Sequence, residues 1–259
     1  MKIDNRTVLL TGGSSGLGLA LAGALVARGN TVVAVGRDPG RLQAARAAVP
    51  GLHAIACDVA DPDALPRLHE MVQKDFPALD MLVNNAGVMR EIDFNRATDV
   101  DRVADEVDVN FGAVVRLCAW FVPMLMRRPG SCIVNVSSGL AFAPFPAAPV
   151  YSATKAALHS FTQSLRIQLK SSGVRVVELA PPAIDTPMLT GAMRAAMDGQ
   201  RMASAADIAA IALRDLEAGV DEITPGGARM LRLLSRLAPS LLMRQMAAMY
   251  ASHAASSRA

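Results

Sequence analysis

Short apolar runs rich in β-branched residues alternate with longer stretches of helical periodicity along most of the chain. The runs predict buried strands at residues 7–10, 31–35, 53–57, 81–85, 132–137 and 174–180. The stretches between them predict helices at 17–28, 39–48, 100–127 and 150–171, with one more that begins near Asp61 and a break near Asn110. Strands that alternate with helices indicate a parallel sheet with helices on both faces.

This order of elements, joined by right-handed crossovers, is typical of a doubly wound α/β fold of the Rossmann type. We therefore predict a single domain with a parallel seven-stranded sheet flanked by helices over residues 1–225. Residues 226–259 are predicted to form a C-terminal helical tail that belongs to the same domain. Ligands of such folds bind at the carboxyl ends of the strands, so candidate chemistry is expected there.

Two long uncharged stretches, residues 7–27 and 129–154, resemble signal or membrane-spanning segments. The first contains five glycines, which a continuous membrane helix would tolerate poorly, and three prolines interrupt the second. Because each stretch divides into strand, turn and helix, we interpret both as protein interior and predict no transmembrane segment.

The composition narrows the class of protein further. The chain is 52% hydrophobic and 19% charged, which excludes wholesale disorder. Its three cysteines are far apart and have no CxxC spacing, so we expect neither a disulfide framework nor a metal site. Unpaired cysteines fit a reducing compartment, and we predict a cytoplasmic protein.

The net charge of +3 is too small to indicate nucleic-acid binding, and it is unevenly distributed. No Asp or Glu follows Glu222, whereas five arginines do, so the tail carries all of the basic excess. Apolar residues recur in the tail at helical spacing, at Met230, Leu233, Leu234 and Leu237. Such a helix could contact a membrane surface or an acidic partner, or it could pack on the domain or on a second subunit.

The turn after the first predicted strand reads TGGSSGLG at 11–18. Glycines permit a tight turn and the close approach of backbone to a pyrophosphate at the following helix N-terminus. The residues predicted to bind a dinucleotide here are Gly12, Ser14, Ser15, Gly16, Leu17 and Gly18. The same letters match the hydrolase motif G-x-S-x-G with Ser14 as nucleophile, but no local pattern supplies its Asp and His partners.

The second strand ends at Gly36, where an acidic residue would accept the ribose hydroxyls of NAD. Arg37 instead offers a cation for a 2′-phosphate, so we predict NADP(H) in preference to NAD(H). The alternative is a surface arginine paired with Asp38. After the third strand, Asp58 and Val59 are candidates for the adenine site, although Asp58 could equally cap a helix.

Tyr151 and Lys155 are four residues apart on a predicted helix, so their side chains share one face about 6 Å apart along the axis. A neighbouring ammonium is expected to lower the pKa of the phenol, which lets Tyr151 exchange a proton with a substrate oxygen. Ser138 lies 13 residues before Tyr151 and could stabilise charge at that oxygen, with Ser137 as the alternative.

Together these motifs resemble the short-chain dehydrogenase/reductase family. The matching segments are TGGSSGLG (11–18), CDV (57–59), NNAG (84–87), Asn110, SS (137–138), YSATK (151–155) and APPAIDT (180–186). They occur in the family's order over nearly three quarters of the chain. Within the family, the segments around 91–94 and 151–161 resemble the DltE-like oxidoreductases of bacteria.

The resemblance implies a role for each matching residue. Ser138 would polarise the substrate oxygen, Tyr151 would be the acid or base, and Lys155 would tune Tyr151 and hold the nicotinamide ribose. Asn110 would hold a water that relays protons. Further cofactor contacts would come from Asn85, Ala86, Gly87, Pro181, Ile184 and Thr186.

The prediction of substrate contacts is based on the apolar residues of the remaining segments. Substrate contacts are predicted for Ser138, Leu140, Phe142, Phe145 and Met188. Further methionines that could cover the substrate are Met193, Met197 and Met202.

The predicted function is hydride transfer between NADP(H) and a carbonyl or secondary alcohol by a homodimer or homotetramer. The alternative from another class is a nucleotide-binding redox sensor or scaffold without turnover.

Overall fold

The computed structural model describes residues 2–189, Arg194 and residues 202–256. Within this part of the chain, seven parallel strands form one sheet. They are β1 (Thr7–Thr11), β2 (Thr31–Gly36), β3 (His53–Ala56), β4 (Met81–Asn84), β5 (Cys132–Val136), β6 (Arg175–Leu179) and β7 (Glu222–Ile223). Their spatial order is β3-β2-β1-β4-β5-β6-β7, which confirms the predicted doubly wound Rossmann fold.

Helices cover both faces of the sheet. They are α1 (Gly16–Val26), α2 (Pro39–Ala48), α3 (Leu65–Asp75), α4 (Val100–Val107), α5 (Ala113–Leu125), α6 (Pro149–Gln168), α7 (Ala205–Glu217), α8 (Gly227–Leu237) and α9 (Pro239–Ser256). A π-helical turn, Asp108–Gly112, joins α4 to α5 at the predicted break near Asn110. The predicted helices therefore lie within a few residues of the observed ones.

The register of the strands explains why they are apolar on both faces. Leu9 pairs with Val33 on one side and with Leu82 on the other, and this row continues across the sheet. From β2 to β6 the members of the row face the core shared with α3, α5 and α6, and His53 of the edge strand β3 is exposed. Because side chains alternate along a strand, the next row, which includes Leu10 and Val83, faces the core under α1 and α7.

One row departs from this apolar rule at the carboxyl edge of the sheet. Asn84, Asn135, Glu178 and Glu222 are paired in sequence across β4 to β7. The first three are almost fully buried, and polar groups buried at this depth need hydrogen-bond partners. The sheet therefore changes from hydrophobic packing to polar contacts where its strands end.

The two stretches that resemble membrane segments form strand, turn and helix, as predicted. Residues 7–27 become β1, the glycine turn and α1, and residues 129–154 contain β5 and the start of α6. Among the described helices, the continuous stretch Val100–Leu125 is the one long and apolar enough to cross a membrane. Its residues Leu117 and Phe121 are buried in the core beneath the sheet.

The winding of the chain reverses between β1 and β4, which lie side by side although β2 and β3 separate them in sequence. The glycine turn occupies the crevice at this switch point. Gly12 and Gly16 have positive φ angles of 66° and 52°, which L side chains rarely adopt. Gly18 lies so close to the turn that an added Cβ would be 2.1 Å from the Gly12 carbonyl oxygen.

We expect Gly18→Ala to destabilise the protein by about 1–3 kcal/mol or more, because the new methyl group overlaps backbone that cannot move freely. Gly23→Ala is a matched control in α1, since its Cβ would make an ordinary 3.7 Å contact with Val49. The control should be neutral or more stable, as alanine favours helix by about 1 kcal/mol. Thermal unfolding of both variants measures the difference, and equal melting temperatures would refute the close approach.

Candidate active site

A cavity of about 1140 Å³ opens at the carboxyl edge of the sheet. This volume exceeds the range of about 300–1,000 Å³ that is typical for a single small ligand, so the cavity has room for a cofactor and a substrate together. Predicted site residues that line it are Gly12, Ser15, Gly16, Leu17, Gly18, Asn85, Ala86, Gly87, Ser138, Leu140, Phe145, Tyr151, Lys155, Pro181, Ile184, Thr186 and Met188.

The glycine turn presents the backbone amides of the α1 N-terminus to this cavity. Within the described chain, Ser15 precedes the helix without a side-chain cap, and no acidic residue lies in its first turn. These amides are therefore available to an anion, and the helix dipole favours one there. An added Cβ on Gly16 would lie 3.3 Å from the Thr186 methyl group, and the positive φ of Gly16 disfavours any side chain, so the cradle is closely lined. The residues present fit the diphosphate of a dinucleotide.

Thr11 fixes the distance between the glycine turn and the end of β4. Its hydroxyl oxygen accepts hydrogen bonds from the backbone N–H groups of Asn85 and Ala86, both at 3.0 Å. The Asn85 side-chain amide in turn donates to the carbonyl oxygens of Thr11 and Gly12, at 3.0 and 3.3 Å. The sequence analysis does not predict this role of Thr11, because the contact joins residues more than 70 positions apart.

Tyr151 and Lys155 lie one turn apart on the buried face of α6, as their spacing predicts. The Lys155 Nζ is 5.6 Å from the centre of the Tyr151 ring and donates a 2.9 Å hydrogen bond to the Val136 carbonyl oxygen. The Ser138 hydroxyl lies near enough to the Tyr151 phenol to lower its pKa, and the Ser138 Oγ accepts the N–H of Leu140 at 3.1 Å. The three side chains therefore converge on one wall of the cavity.

Burial has the largest effect on the pKa values of Tyr151 and Lys155. For Tyr151 this effect is opposite to the sequence prediction, which expected a lowered pKa. Burial raises the pKa of Tyr151 to about 12, with an opposing hydrogen bond from Ser138 and a further rise caused by the charge of Glu106. Burial also lowers the pKa of Lys155 to about 8. Tyr151 is consequently a protonated phenol at neutral pH, which suits it to donate a proton.

Ser137 and Ser138 have different partners although they are adjacent. The Ser137 hydroxyl donates to Glu178 Oε1 at 2.5 Å, whereas the Ser138 Oγ accepts the Leu140 N–H and lies on the cavity wall with Tyr151. The other oxygen of Glu178 lies 2.6 Å from Nδ1 of His159, one turn beyond Lys155 on α6. Ser137 lines the cavity, but its hydroxyl is occupied by Glu178. Its partner Glu178 was not predicted, because nothing local marks a buried carboxylate in a strand.

Asn110 lies in the π-helical turn and is fully buried. Its side chain accepts the Val88 N–H at 2.8 Å and donates to the Val88 carbonyl at 2.8 Å and the Thr154 hydroxyl at 3.2 Å. An added Cβ on Gly87 would lie 3.2 Å from Asn110 Oδ1 and 3.5 Å from Lys155 Nζ. Asn110 therefore borders the same space as Lys155, although its own side chain holds the backbone after β4. π-helical turns of this kind are frequent at functional sites.

Glu106, one turn before Asn110, is a fully buried carboxyl group beside the site. Its Oε1 accepts the Arg90 N–H at 3.3 Å, and among the described residues its Oε2 has no hydrogen-bond partner. The Arg90 guanidinium pairs with Asp105 instead. Burial raises the pKa of Glu106 to about 7, against the lowering effect of the Arg90 N–H bond and charge.

Six predicted residues lie outside the cavity. They are Ser14 of the glycine turn, Arg37 after β2, Asp58 and Val59 after β3, Asn110, whose Oδ1 lies beside Gly87, and Phe142, which packs edge-to-face against His159 at 5.0 Å. The contact of Phe142 with substrate stays a prediction. Asp58 accepts the Ala60 N–H at 3.0 Å, so the helix cap considered for it belongs to Asp61.

Arg37 is exposed at the end of β2, and within the described residues no carboxylate forms a salt bridge with it. Asp38, the partner considered from sequence, caps α2 through the N–H groups of Gly40 and Arg41. It also forms a 3.4 Å ion pair with Arg41. Arg37 is therefore available to an external anion.

Comparisons with known proteins agree with this geometry. The chain matches the family described as short chain dehydrogenase over residues 6–196. The chain belongs to the short-chain dehydrogenase family. It is therefore an oxidoreductase with a nucleotide-binding Rossmann domain.

One relative and two solved structures illustrate the similarity. The oxidoreductase DltE of Bacillus subtilis is 50% identical over 189 residues, which are 72% of this chain and 74% of the relative. A short-chain dehydrogenase from Burkholderia cenocepacia, solved with NADP, is 26% identical with a TM-score of 0.82, covering 95% of this chain and 99% of that one. A 3-ketoacyl-(acyl-carrier-protein) reductase from Brucella melitensis, solved with NADH, is 27% identical with a TM-score of 0.74, covering 82% and 90%.

The tail of this short-chain dehydrogenase lies beyond the region that matches the family, yet it forms part of the cavity. Leu231 and Leu234 of α8 and Met246 and Met249 of α9 line it, together with Met89 after β4. None of these five was predicted as a site residue, although the helical spacing of apolar residues in the tail was recognised. Met202 also lines the cavity, whereas Met193 and Met197 lie outside the described residues.

The raised pKa of Glu106 makes the stability of the fold depend on pH. In the unfolded chain this carboxyl ionises near 4.5, and in the folded protein near 7, so the folded state binds its proton more tightly. Stability from this group is complete below pH 4.5 and is lost as the pH rises through about 7. The shift corresponds to at most about 3 kcal/mol.

We expect Glu106→Gln to gain stability relative to the parent protein by up to about 3 kcal/mol between pH 4.5 and pH 8, because the amide stays neutral. Denaturant unfolding at a series of pH values measures this difference. Glu70→Gln makes the same change at an exposed position of α3 and serves as the control. If the two variants follow the parent protein equally, the Glu106 carboxyl does not bind a proton more tightly in the folded state.

Proposed function

We propose that this protein is an NADP(H)-dependent oxidoreductase that interconverts a carbonyl compound and a secondary alcohol through Ser138, Tyr151 and Lys155. The observation that carries the proposal is the convergence of Ser138, Tyr151 and Lys155 on the wall of a cavity that also contains the glycine cradle. A proton donor, an oxyanion donor and a diphosphate site then surround one space.

The bound dinucleotide would supply or accept the hydride, and this chain's residues would control the proton. The Ser138 hydroxyl accepts the Leu140 N–H, which leaves its own hydrogen free to bind the substrate oxygen. Tyr151, protonated because burial raises its pKa to about 12, donates its proton to that oxygen as negative charge develops there. The site is therefore prepared for carbonyl reduction.

Lys155, whose ammonium lies near the Tyr151 ring, would also hold the cofactor. An ammonium has three donors, and the Val136 carbonyl accepts one of them. The remaining donors lie near Gly87 at the cavity wall, where the ribose hydroxyls of a dinucleotide would be within reach. Burial lowers the pKa of Lys155 to about 8, so its charge depends on the negative groups that a bound cofactor adds.

Arg37 supports NADP(H) over NAD(H). It is exposed beside the glycine turn, since an added Cβ on the neighbouring Gly36 would lie 3.4 Å from Ser14 Oγ. No acidic side chain follows β2 directly to accept ribose hydroxyls, and a guanidinium suits a phosphate. The Burkholderia cenocepacia relative was solved with NADP and the Brucella melitensis one with NADH, so the family accommodates both.

The alternatives find less support in the geometry. Ser14 is half-buried, and among the described residues no histidine or carboxylate hydrogen-bonds to it, which disfavours a hydrolase. A sensor or scaffold without turnover would not need the Ser138, Tyr151 and Lys155 arrangement. The predicted homo-oligomer is supported by exposed apolar side chains on α4 to α6, such as Val100, Trp120 and Ile167. Membrane contact by the tail and a cytoplasmic location stay predictions.

Removal of the Tyr151 hydroxyl should separate binding from chemistry. In Tyr151→Phe we expect kcat for ketone reduction to fall by about 10²–10⁴-fold, because the proton donor is lost. The Kd for NADPH, measured by fluorescence titration, should stay within about twofold. Tyr250→Phe, which alters the other tyrosine of the chain, is the control and should keep its activity. Normal turnover by Tyr151→Phe would rule out the mechanism.

Reversal of charge at Arg37 should change the cofactor preference. We expect Arg37→Asp to lower the ratio of kcat/KM with NADPH to that with NADH by about tenfold or more, because a carboxylate repels the 2′-phosphate and accepts ribose hydroxyls. Arg46→Asp reverses an exposed charge at the far end of α2 and should leave the ratio unchanged. An unaltered ratio in Arg37→Asp would remove Arg37 from the cofactor site.

A further inference from the structure

The C-terminal tail is attached to the catalytic loop rather than to a remote surface. Ala228 at the start of α8 is fully buried, and an added Cβ on Gly139 would meet its Cβ at 3.2 Å. Arg232 of α8 forms an ion pair with Glu222 of β7, and its guanidinium lies 6.0 Å from the centre of the Phe142 ring. The first helix of the tail is therefore fixed beside Ser138.

The two faces of α8 have different surroundings. Leu231 and Leu234 are half-buried and line the cavity. Leu233 and Leu237, on the other face, are 51% and 74% exposed. The second tail helix, α9, packs against the same loop through a third apolar cluster that contains Phe145, Ala148, Tyr151, Leu242 and Met246. The tail thus forms a continuous apolar wall that reaches from the cavity mouth to the catalytic tyrosine.

Charged groups are scarce along this wall. Among the described residues that line the cavity, the charged side chains are Lys155 and Asp207. The Asp207 carboxylate lies 2.7 Å from the Ser204 hydroxyl, next to Ala203, which pairs with Ile184 on the predicted nicotinamide side. A substrate with an anionic end pointing along the tail would therefore lose its hydration without meeting a cation.

We infer that the tail selects the substrate, and that the substrate is a bulky, uncharged, apolar ketone or secondary alcohol whose apolar part lies against Leu231, Leu234 and Met246. This inference rests on the proposed function for the reaction itself. The wall contributes apolar area, and its methionines adapt to irregular shapes. Because the described part of the wall contains no cation, we expect substrates with a carboxylate to bind less well than uncharged ones.

Three methyl ketones test the inference with the same reacting group. 2-Octanone has four more methylene groups than 2-butanone, and 7-oxooctanoate is 2-octanone with a terminal carboxylate in place of the terminal methyl. Each methylene buried is worth about a fourfold gain. We therefore expect 2-octanone to have a Kd and a kcat/KM at least about thirtyfold better than 2-butanone, and 7-oxooctanoate to be at least about tenfold worse than 2-octanone. Calorimetry with the NADPH complex of Tyr151→Phe gives Kd without turnover.

A charge placed on the wall should change this order in a way that misfolding cannot imitate. We expect Leu234→Lys to weaken 2-octanone by at least about tenfold and to improve 7-oxooctanoate by a similar factor, because the new ammonium pairs with the carboxylate. Leu233→Lys, on the exposed face of the same helix, should leave the three ketones in their original order. NADPH affinity should be unchanged in both variants.

The outcomes separate the two proposals. Equal affinity for 2-butanone and 2-octanone, or a Leu234→Lys variant that gains nothing with 7-oxooctanoate, would overturn the role of the tail and leave the oxidoreductase function intact. Size-dependent binding that follows Leu234, without NADPH oxidation in the parent protein with any ketone, would refute the proposed reaction and retain the wall.

Discussion

The attachment of α6 to the carboxyl edge of the sheet is the constraint on which the site depends. Along one stripe of this helix, Lys155 donates to the Val136 carbonyl, His159 pairs with Glu178, and the Thr162 hydroxyl accepts from Asn135 at 2.9 Å. Each of these polar groups is buried or partly buried, and each would be costly to leave without a partner. Rotation or sliding of α6 would break all three contacts at once, so the helix has one position. That position sets Tyr151 beside Ser138.

The polar row at the strand ends explains why chemistry occurs at this edge. In β4 and β5 the three rows before the polar one are apolar, and the polar row carries Asn84, Asn135 and, in β6, Glu178. Glu178 makes two contacts there: its Oε1 accepts the Ser137 hydroxyl, and its Oε2 pairs with His159. The loop with Ser138 and the helix with Tyr151 are therefore both held by a single buried carboxylate. Their relative position does not depend on the intervening loop alone.

Local patterns in the sequence were sufficient for the strands, the helices, the glycine turn and the Tyr151–Lys155 spacing, because each depends on neighbours along the chain. Glu178, Glu106 and Thr11 were missed since their partners lie far away in sequence, and their residue types alone do not indicate burial. The direction of the Tyr151 pKa was wrong for the same reason. Spacing places an ammonium near the phenol, but it does not show that burial outweighs it.

For the tail, too, the sequence predicts local structure but not contacts with distant residues. Its amphipathic spacing predicts a helix, but the sequence does not show which surface the apolar side faces. In the structure Leu231 and Leu234 face the cavity, whereas Leu233 and Leu237 of the predicted apolar side are exposed. The stripe of α6 that carries Tyr151 and Lys155 lies more than 60 residues earlier in the chain. Under the proposed function, selection and chemistry are thus encoded in separate segments. Exchange of the final segment could redirect such an enzyme to another compound while the proton donor and its supports stay untouched, which makes the carboxyl terminus a natural place for diversification and for engineering.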